Sequence, residues 1–164
     1  VRPQTLTLLI LAILFSAASR ADATPDQTAG MNIGVALGWR LGPEAVAERC
    51  RTADPEGVEI RQKAVRAWLA KNSRLIQAVD ERIAEVVPLL SPKESKEAVI
   101  AVVLARIRDM VLEPLFAAKS PAEVTAICKA ESDPAKPRWN NPGMPMVALV
   151  LAELYDWKVQ REAK

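Results

Sequence analysis

The chain contains no histidine. That removes the commonest general base, the commonest zinc ligand and every serine or cysteine nucleophile activated by an imidazole. A phosphate loop of the form G-x-x-x-x-G-K-[ST] is missing, as is a G-x-G-x-x-G loop between a strand and a helix, so nucleotide chemistry is not expected. Neither sign of charge dominates: 22 Lys and Arg stand against 20 Asp and Glu. A protein that tracks phosphates usually carries a strong basic excess on one face, so nucleic acid is not an expected partner. No apolar run reaches the roughly 20 residues that a membrane-spanning helix needs. Only two cysteines occur, and they are not arranged as a C-x-x-C redox pair. These absences point away from a metal site and from any cofactor.

What is present begins with an export signature. Arg2 precedes an uncharged, mostly apolar run over residues 6–18, followed by Ser19, Arg20 and the triplet Ala21-Asp22-Ala23. That pattern fits a secretory leader over residues 1–23 cut at an A-x-A site, with Thr24 as the new first residue. No cysteine lies near the cut to accept a lipid. Val1 reads as a GTG initiation codon, which suggests a bacterial gene and a periplasmic or secreted destination. Loss of Arg2, Arg20 and Asp22 with the leader lowers the net charge from +2 to +1. Residues 24–164 suffice for one domain with its own core and are too few to favour two. An apolar content of 50% excludes a disordered chain.

In an oxidising compartment, two cysteines most simply form one bridge, Cys50 to Cys128. Closing so long a loop is worth about 4 kcal/mol on a chain-entropy account.

Apolar residues spaced three and four apart predict helices along the chain. Val65, Leu69, Asn72, Ile76, Val79, Ile83, Val86 and Leu90 form one stripe through residues 56–90. Arg61, Lys63, Arg66, Lys71, Arg74, Asp80, Glu81 and Arg82 mostly fall on a solvated surface. Ser91-Pro92-Lys93-Glu94 fits the start of the next helix, which Pro114 should kink or end. Ser120-Pro121-Ala122-Glu123 repeats the same signature and opens a short helix carrying Cys128. A Pro- and Asn-rich loop over residues 132–145 leads to a final helix over 146–160.

Residues 24–50 admit two periods. Gly30, Gly34, Gly38 and Gly42 recur every four residues, a smooth strip on which a helix could pack closely. Met31, Ile33, Val35, Leu37, Trp39 and Leu41 alternate as a strand would. No other segment offers a lone strand a partner, so the helix is preferred. Gly42-Pro43-Glu44 is then a break, followed by a second short helix that delivers Cys50. The expected fold is all-α: a compact bundle of five or six helices closed by one disulfide.

Without histidine, the remaining route to catalysis is a pair of carboxylates acting as acid and base on a glycosidic bond. Candidate sets are Asp80 with Glu81 and Glu85, Asp109 with Glu113, and Glu153 with Asp156. Ordinary helix pairing explains them as well: Arg82 lies three residues before Glu85, and Arg106 three before Asp109. No residue is therefore assigned as catalytic. Asn72 interrupts an apolar stripe one turn after Trp68. It is either a buried amide that fixes helix register or the floor of a ligand pocket with Trp68 as a wall. Trp139, Asn140 and Asn141 lie in the long loop, where a tryptophan can anchor a partner or fold back over the bundle. Gly30, Gly34 and Gly38 offer either internal close packing or a face for self-association.

Together these features describe an exported helical protein without catalytic activity that binds another envelope or extracellular protein or an envelope component. A carboxylate-only hydrolase and a protein that self-associates or meets a membrane through the glycine face are the competing readings.

Overall fold

The computed structural model describes residues 23–117, 119–131 and 144–163. Among these there are six helices and no strand: α1 Pro25–Ala53, α2 Val58–Lys71, α3 Ser73–Leu90, α4 over residues 96–117, α5 Pro121–Glu131 and α6 Met144–Glu162. A single 3-10 turn, Pro55–Gly57, joins α1 to α2. The expected all-α bundle is what forms, and Cys50 is bonded to Cys128 with 5.5 Å between their Cα atoms. The leader segment over residues 1–22 and the loop bearing Trp139, Asn140 and Asn141 lie outside the described residues.

α1 is the axle of the bundle, packing against each of the other five helices. It opens with a reciprocal cap: the Thr24 hydroxyl accepts from the Gln27 backbone N–H at 3.3 Å, while the Thr24 N–H donates to the Gln27 side chain at 2.8 Å. Such a box satisfies two of the donors a helix start leaves unpaired. The expected break at Gly42-Pro43 does not occur, and α1 runs unbroken to Ala53. An interior proline costs about 3 kcal/mol through its lost donor and its clash with the carbonyl four residues earlier. Burial on both sides of Pro43 offsets that cost, since Leu37, Leu41 and Cys50 are all in the core and Pro43 itself is buried.

The main core joins Ile33, Ala36 and Leu37 of α1 to Val79, Ile83, Val86 and Val87 of α3 and to Val147, Val150, Leu154 and Trp157 of α6. Each fully buried aliphatic side chain contributes roughly 1.5–3 kcal/mol. α4 covers this core with half-buried Val99, Ile100, Val103 and Ile107. A second, smaller cluster gathers Cys50, Leu112, Phe116 and Cys128. The disulfide therefore pins α5 onto α1 at a place where the apolar core is thin.

Four local expectations need correction. The stripe through 56–90 belongs to two helices, with Asn72 as the joint. Its side-chain amide donates to the Trp68 carbonyl at 2.9 Å, and its own carbonyl accepts from Ile76. Asparagine competes for backbone in this way and so interrupts helices, while the apolar spacing carries on across the joint. Ser91 ends α3 rather than starting α4, and Ser95 is the cap, accepting from the Ala98 N–H at 3.1 Å. Residues 92–97 offer no apolar group that an earlier helical turn could bury. Pro114 does not end α4: residues Arg108–Leu112 widen into a π-turn, with the Glu113 N–H reaching back to the Arg108 carbonyl, and the helix resumes over Glu113–Ala117. The wider turn accommodates the carbonyl that the proline ring would otherwise strike. By contrast, the Ser120 signature forms as expected, with Ser120 and Glu123 bonded reciprocally.

The fourth correction concerns Gly30, Gly34 and Gly38. A Cβ at Gly30 would lie 3.9 Å from Leu90, but at Gly34, Gly38 or Gly42 it would meet nothing within 4 Å among the described residues. The glycines do not supply close helix packing here. Gly30 is exposed and Gly34, Gly38 and Gly42 are partly buried, with room beside each Cα.

Candidate functional site

Three features of the bundle stand out: a groove, a buried ion pair and exposed apolar surface. The first is a wide-mouthed groove of about 500 Å³ lined by Leu69, Ser73, Ile76, Gln77, Asp80, Glu81, Ala84 and Lys96. α3 supplies most of its floor, and the first residue of α4 closes one side. Asn72 and Trp68 lie next to this groove and do not line it. Asn72 is buried on the Trp68 carbonyl, and the Trp68 ring meets Trp39 at 4.9 Å in a tilted pair. Asn72 thus bonds the backbone at the α2–α3 joint, and Trp68 packs against Trp39 of α1.

Six of the seven candidate carboxylates are engaged by partners of their own. Asp80 forms ion pairs with Arg40 of α1 at 3.0 Å and with Lys96 of α4 at 3.7 Å, so it joins three helices. Glu81 accepts from Gln77, and Glu85 is paired with Arg82 as expected. Asp109 pairs with its neighbour Arg108 at 2.9 Å, not with Arg106, since the π-turn that begins at Arg108 alters the i, i+3 register. Glu113 pairs with Arg49 at 3.4 Å, and Glu153 accepts from the buried Asn32 amide at 2.8 Å. Asp80 and Glu81 share the lining of the groove, but each is engaged by its own partner.

Two carboxyl groups titrate below their ordinary range for structural reasons. Glu123 is held down first by the Ser120 backbone N–H and then by the Ser120 hydroxyl. Glu97 is lowered first by a backbone hydrogen bond at its own position and then by Ser95. Both are helix-start caps exposed to solvent. A general acid needs the opposite displacement.

The second feature is a buried ion pair that sequence reading missed. Arg61, expected on the solvated surface, is 3% exposed. It donates to the Asp54 carboxylate at 2.6 Å, to the Cys50 carbonyl at 3.1 Å and to the Asp54 carbonyl. A Cβ at Gly57 would stand 2.2 Å from the Asp54 carboxylate and 2.5 Å from the guanidinium, so only glycine fits where the pair closes over the backbone. The signal available in the sequence was Asp54-Pro55-Glu56-Gly57, a turn with an acid at its start, followed four residues later by an arginine. The pair supports the disulfide end of α1 and reaches no cavity.

The third feature is exposed apolar surface. Within Lys96–Ile107 no side chain is fully buried. Val102 is 55% exposed, and Leu104 and Met110 also face outward. On α6, Leu149 is 58% exposed, and Tyr155 and Val159 are also exposed. Tyr155 is partly covered by the Arg82 guanidinium, 4.7 Å above its ring.

Among the described residues no group of three or more His, Cys, Asp or Glu side chains is arranged to hold a metal ion, and no helix is long and apolar enough to cross a membrane. Compared with protein-family models, curated sequences and solved structures, the chain has no significant match to any of them.

Proposed function

We propose that this is an exported helical protein that loses its leader after Ala23 and acts without catalysis, binding another protein or a component of the cell envelope. The observation that carries the reading is the outer face of α4. Its sequence is among the most apolar of the chain, yet it buries none of its Lys96–Ile107 side chains completely and turns Ala101, Val102 and Leu104 to solvent. Large apolar side chains left exposed on a helix can serve as a place where another molecule docks. The disulfide and the balanced charge are consistent with an exported protein of this kind.

The test compares the oxidised protein with Val102→Glu/Met110→Glu in capture from an envelope extract, followed by mass spectrometry. Both side chains are about half exposed, so the pair of changes should alter stability by less than about 1 kcal/mol. Loss of one specific captured protein from the variant supports the reading. Identical capture by both chains removes α4 as the interface.

Self-association is the second reading, supported by the open strip at Gly34, Gly38 and Gly42. Sedimentation of the isolated protein distinguishes it: a concentration-dependent mass that Gly38→Leu abolishes favours it over a different partner.

A further inference from the structure

A helix on the outside of a bundle ordinarily turns its charged residues to water and its apolar ones to the core. The inward side of α6 obeys this, with Val147, Val150, Leu154 and Trp157 buried at three- and four-residue steps. Its outward side does not. Six residues between 148 and 159 are exposed: Ala148, Leu149, Ala152, Tyr155, Asp156 and Val159. Successive members lie one or three residues apart, a spacing that gathers them on the side of the helix away from the core. All but Asp156 are Ala, Leu, Tyr or Val. The Arg82 guanidinium, itself paired with Glu85, lies 4.7 Å over the Tyr155 ring and restrains it. Asp156 also differs from the other charged residues around it. Glu153 accepts from Asn32, Lys158 pairs with Glu162 at 3.4 Å and Arg161 pairs with Asp26 at 3.3 Å, whereas Asp156 has no ion pair or side-chain hydrogen bond among the described residues.

A partner that covered this surface with apolar groups alone would strand the Asp156 carboxylate away from water. A second copy of α6 would bring a second carboxylate and no free cation, because the cations of this helix are already paired. We infer that the outer side of α6 is a docking surface for another protein, whose contact segment lays aliphatic or aromatic side chains on Leu149, Tyr155 and Val159 and brings one Lys or Arg among them to meet Asp156. This rests on the reading that the protein acts by binding another protein, and adds to it a surface separate from α4 and the chemistry of what covers it. Tyr155 is the kind of rigid aromatic contact on which binding energy concentrates. The Asp156 pair, shielded by the apolar contacts around it, fixes the register of the partner and excludes acidic segments.

The test selects peptides from a random displayed library on the oxidised full-length chain. Enriched peptides are synthesised and titrated against wild type, Leu149→Glu, Asp156→Lys and Ile60→Glu, each shown to be folded by circular dichroism. Ile60 is 54% exposed on α2 and serves as the control for placing an acid on an apolar surface. The enriched sequences should share one Lys or Arg among apolar residues. Leu149→Glu should abolish their binding, and Ile60→Glu should leave it unchanged. Replacing the shared cation with Glu should weaken binding to wild type by about tenfold or more and restore it on Asp156→Lys, the reversal that a direct ion pair requires. Enrichment without a cation, or binding indifferent to Leu149→Glu, overturns the inference. Binding that survives Leu149→Glu and is lost in Val102→Glu/Met110→Glu places the site on α4, which overturns the α6 surface and leaves the binding reading standing. If no peptide is enriched the α6 surface fails, while capture from envelope extract still decides the binding reading by itself. A sedimenting mass that rises with concentration and is held to one chain by Leu149→Glu assigns the surface to a second copy. Binding to phosphatidylcholine vesicles that Leu149→Glu abolishes assigns it to lipid. Either result overturns the inference.

Discussion

Replacing Arg61 with methionine tests whether the disulfide end of the bundle is held as the geometry requires. Methionine keeps much of the side-chain volume and removes the guanidinium. Asp54 is as deeply buried as its partner, each side chain 3% exposed, so the change leaves a carboxylate inside the protein without its cation. Breaking a buried pair from one side costs about 3–5 kcal/mol, and the Cys50 and Asp54 carbonyls lose a donor in addition. With a urea slope of about 2 kcal/mol per molar, the unfolding midpoint should fall by about 2 M. The assay is urea unfolding of the oxidised protein followed by circular dichroism, with the slope checked for constancy. Asp54→Leu/Arg61→Met should recover most of the loss, because removing both charges together leaves only two carbonyls short of one donor each, and both still accept a backbone N–H, from Asp54 and Gly57 respectively, so the remaining cost is about 1 kcal/mol. A loss below about 1 kcal/mol in the single variant would mean that the pair behaves as a solvated surface contact and that the reasoning from burial is wrong.

Gly34→Ala and Gly38→Ala should each stabilise the protein by about 0.5–1 kcal/mol in calorimetry, since the added methyl meets open space and alanine is the better helix former; a destabilisation would show that the strip is closely covered in solution. Cys50→Ala/Cys128→Ala should cost about 4 kcal/mol, given the separation of 78 residues. Hydrogen exchange should then show α5 losing protection before α3, because α5 is docked chiefly on α1 through the small second cluster. Acid should loosen the start of α5. Glu123 has a depressed folded pKa, so the stability it lends is fully present above its ordinary value of 4.5 and is lost as pH falls through the lowered one. Protection of the Ser120 amide should therefore drop between about pH 5 and about pH 3 in wild type and be insensitive over that window in Glu123→Gln.

The helical class was legible because the apolar spacing is local and strong. Val79, Ile83 and Val86 repeat at the helical period, and these same side chains are fully buried. The disulfide was legible by counting, since two cysteines leave only one pairing within the chain. Cap positions were legible only where a helix had something to bury: Ser120 caps as its sequence suggests, whereas Ser91 carries the same signature and does not. Neither proline ended its helix. At Pro43 the surrounding burial outweighed a broken backbone bond, and at Pro114 a π-turn absorbed the clash. The candidate site was less legible still. Arg61 reads as a surface charge because no periodicity distinguishes it from Arg66, and its burial depends on Asp54 and the Cys50 carbonyl arriving beside it from α1.

The sequence by itself therefore determined the helical class, the bridge and the aliphatic core of α3 and α6, all of which follow from local spacing, residue type and the hydrophobic effect. Tertiary structure alone decided which polar groups went inside, which acids found cations, which helix turned an apolar side to solvent and where the glycines ended up. Those outcomes depend on residues far apart in the chain meeting at hydrogen-bond distance. Asn32 with Glu153, and Asp26 with Trp157, are joined across nearly the whole length of the protein.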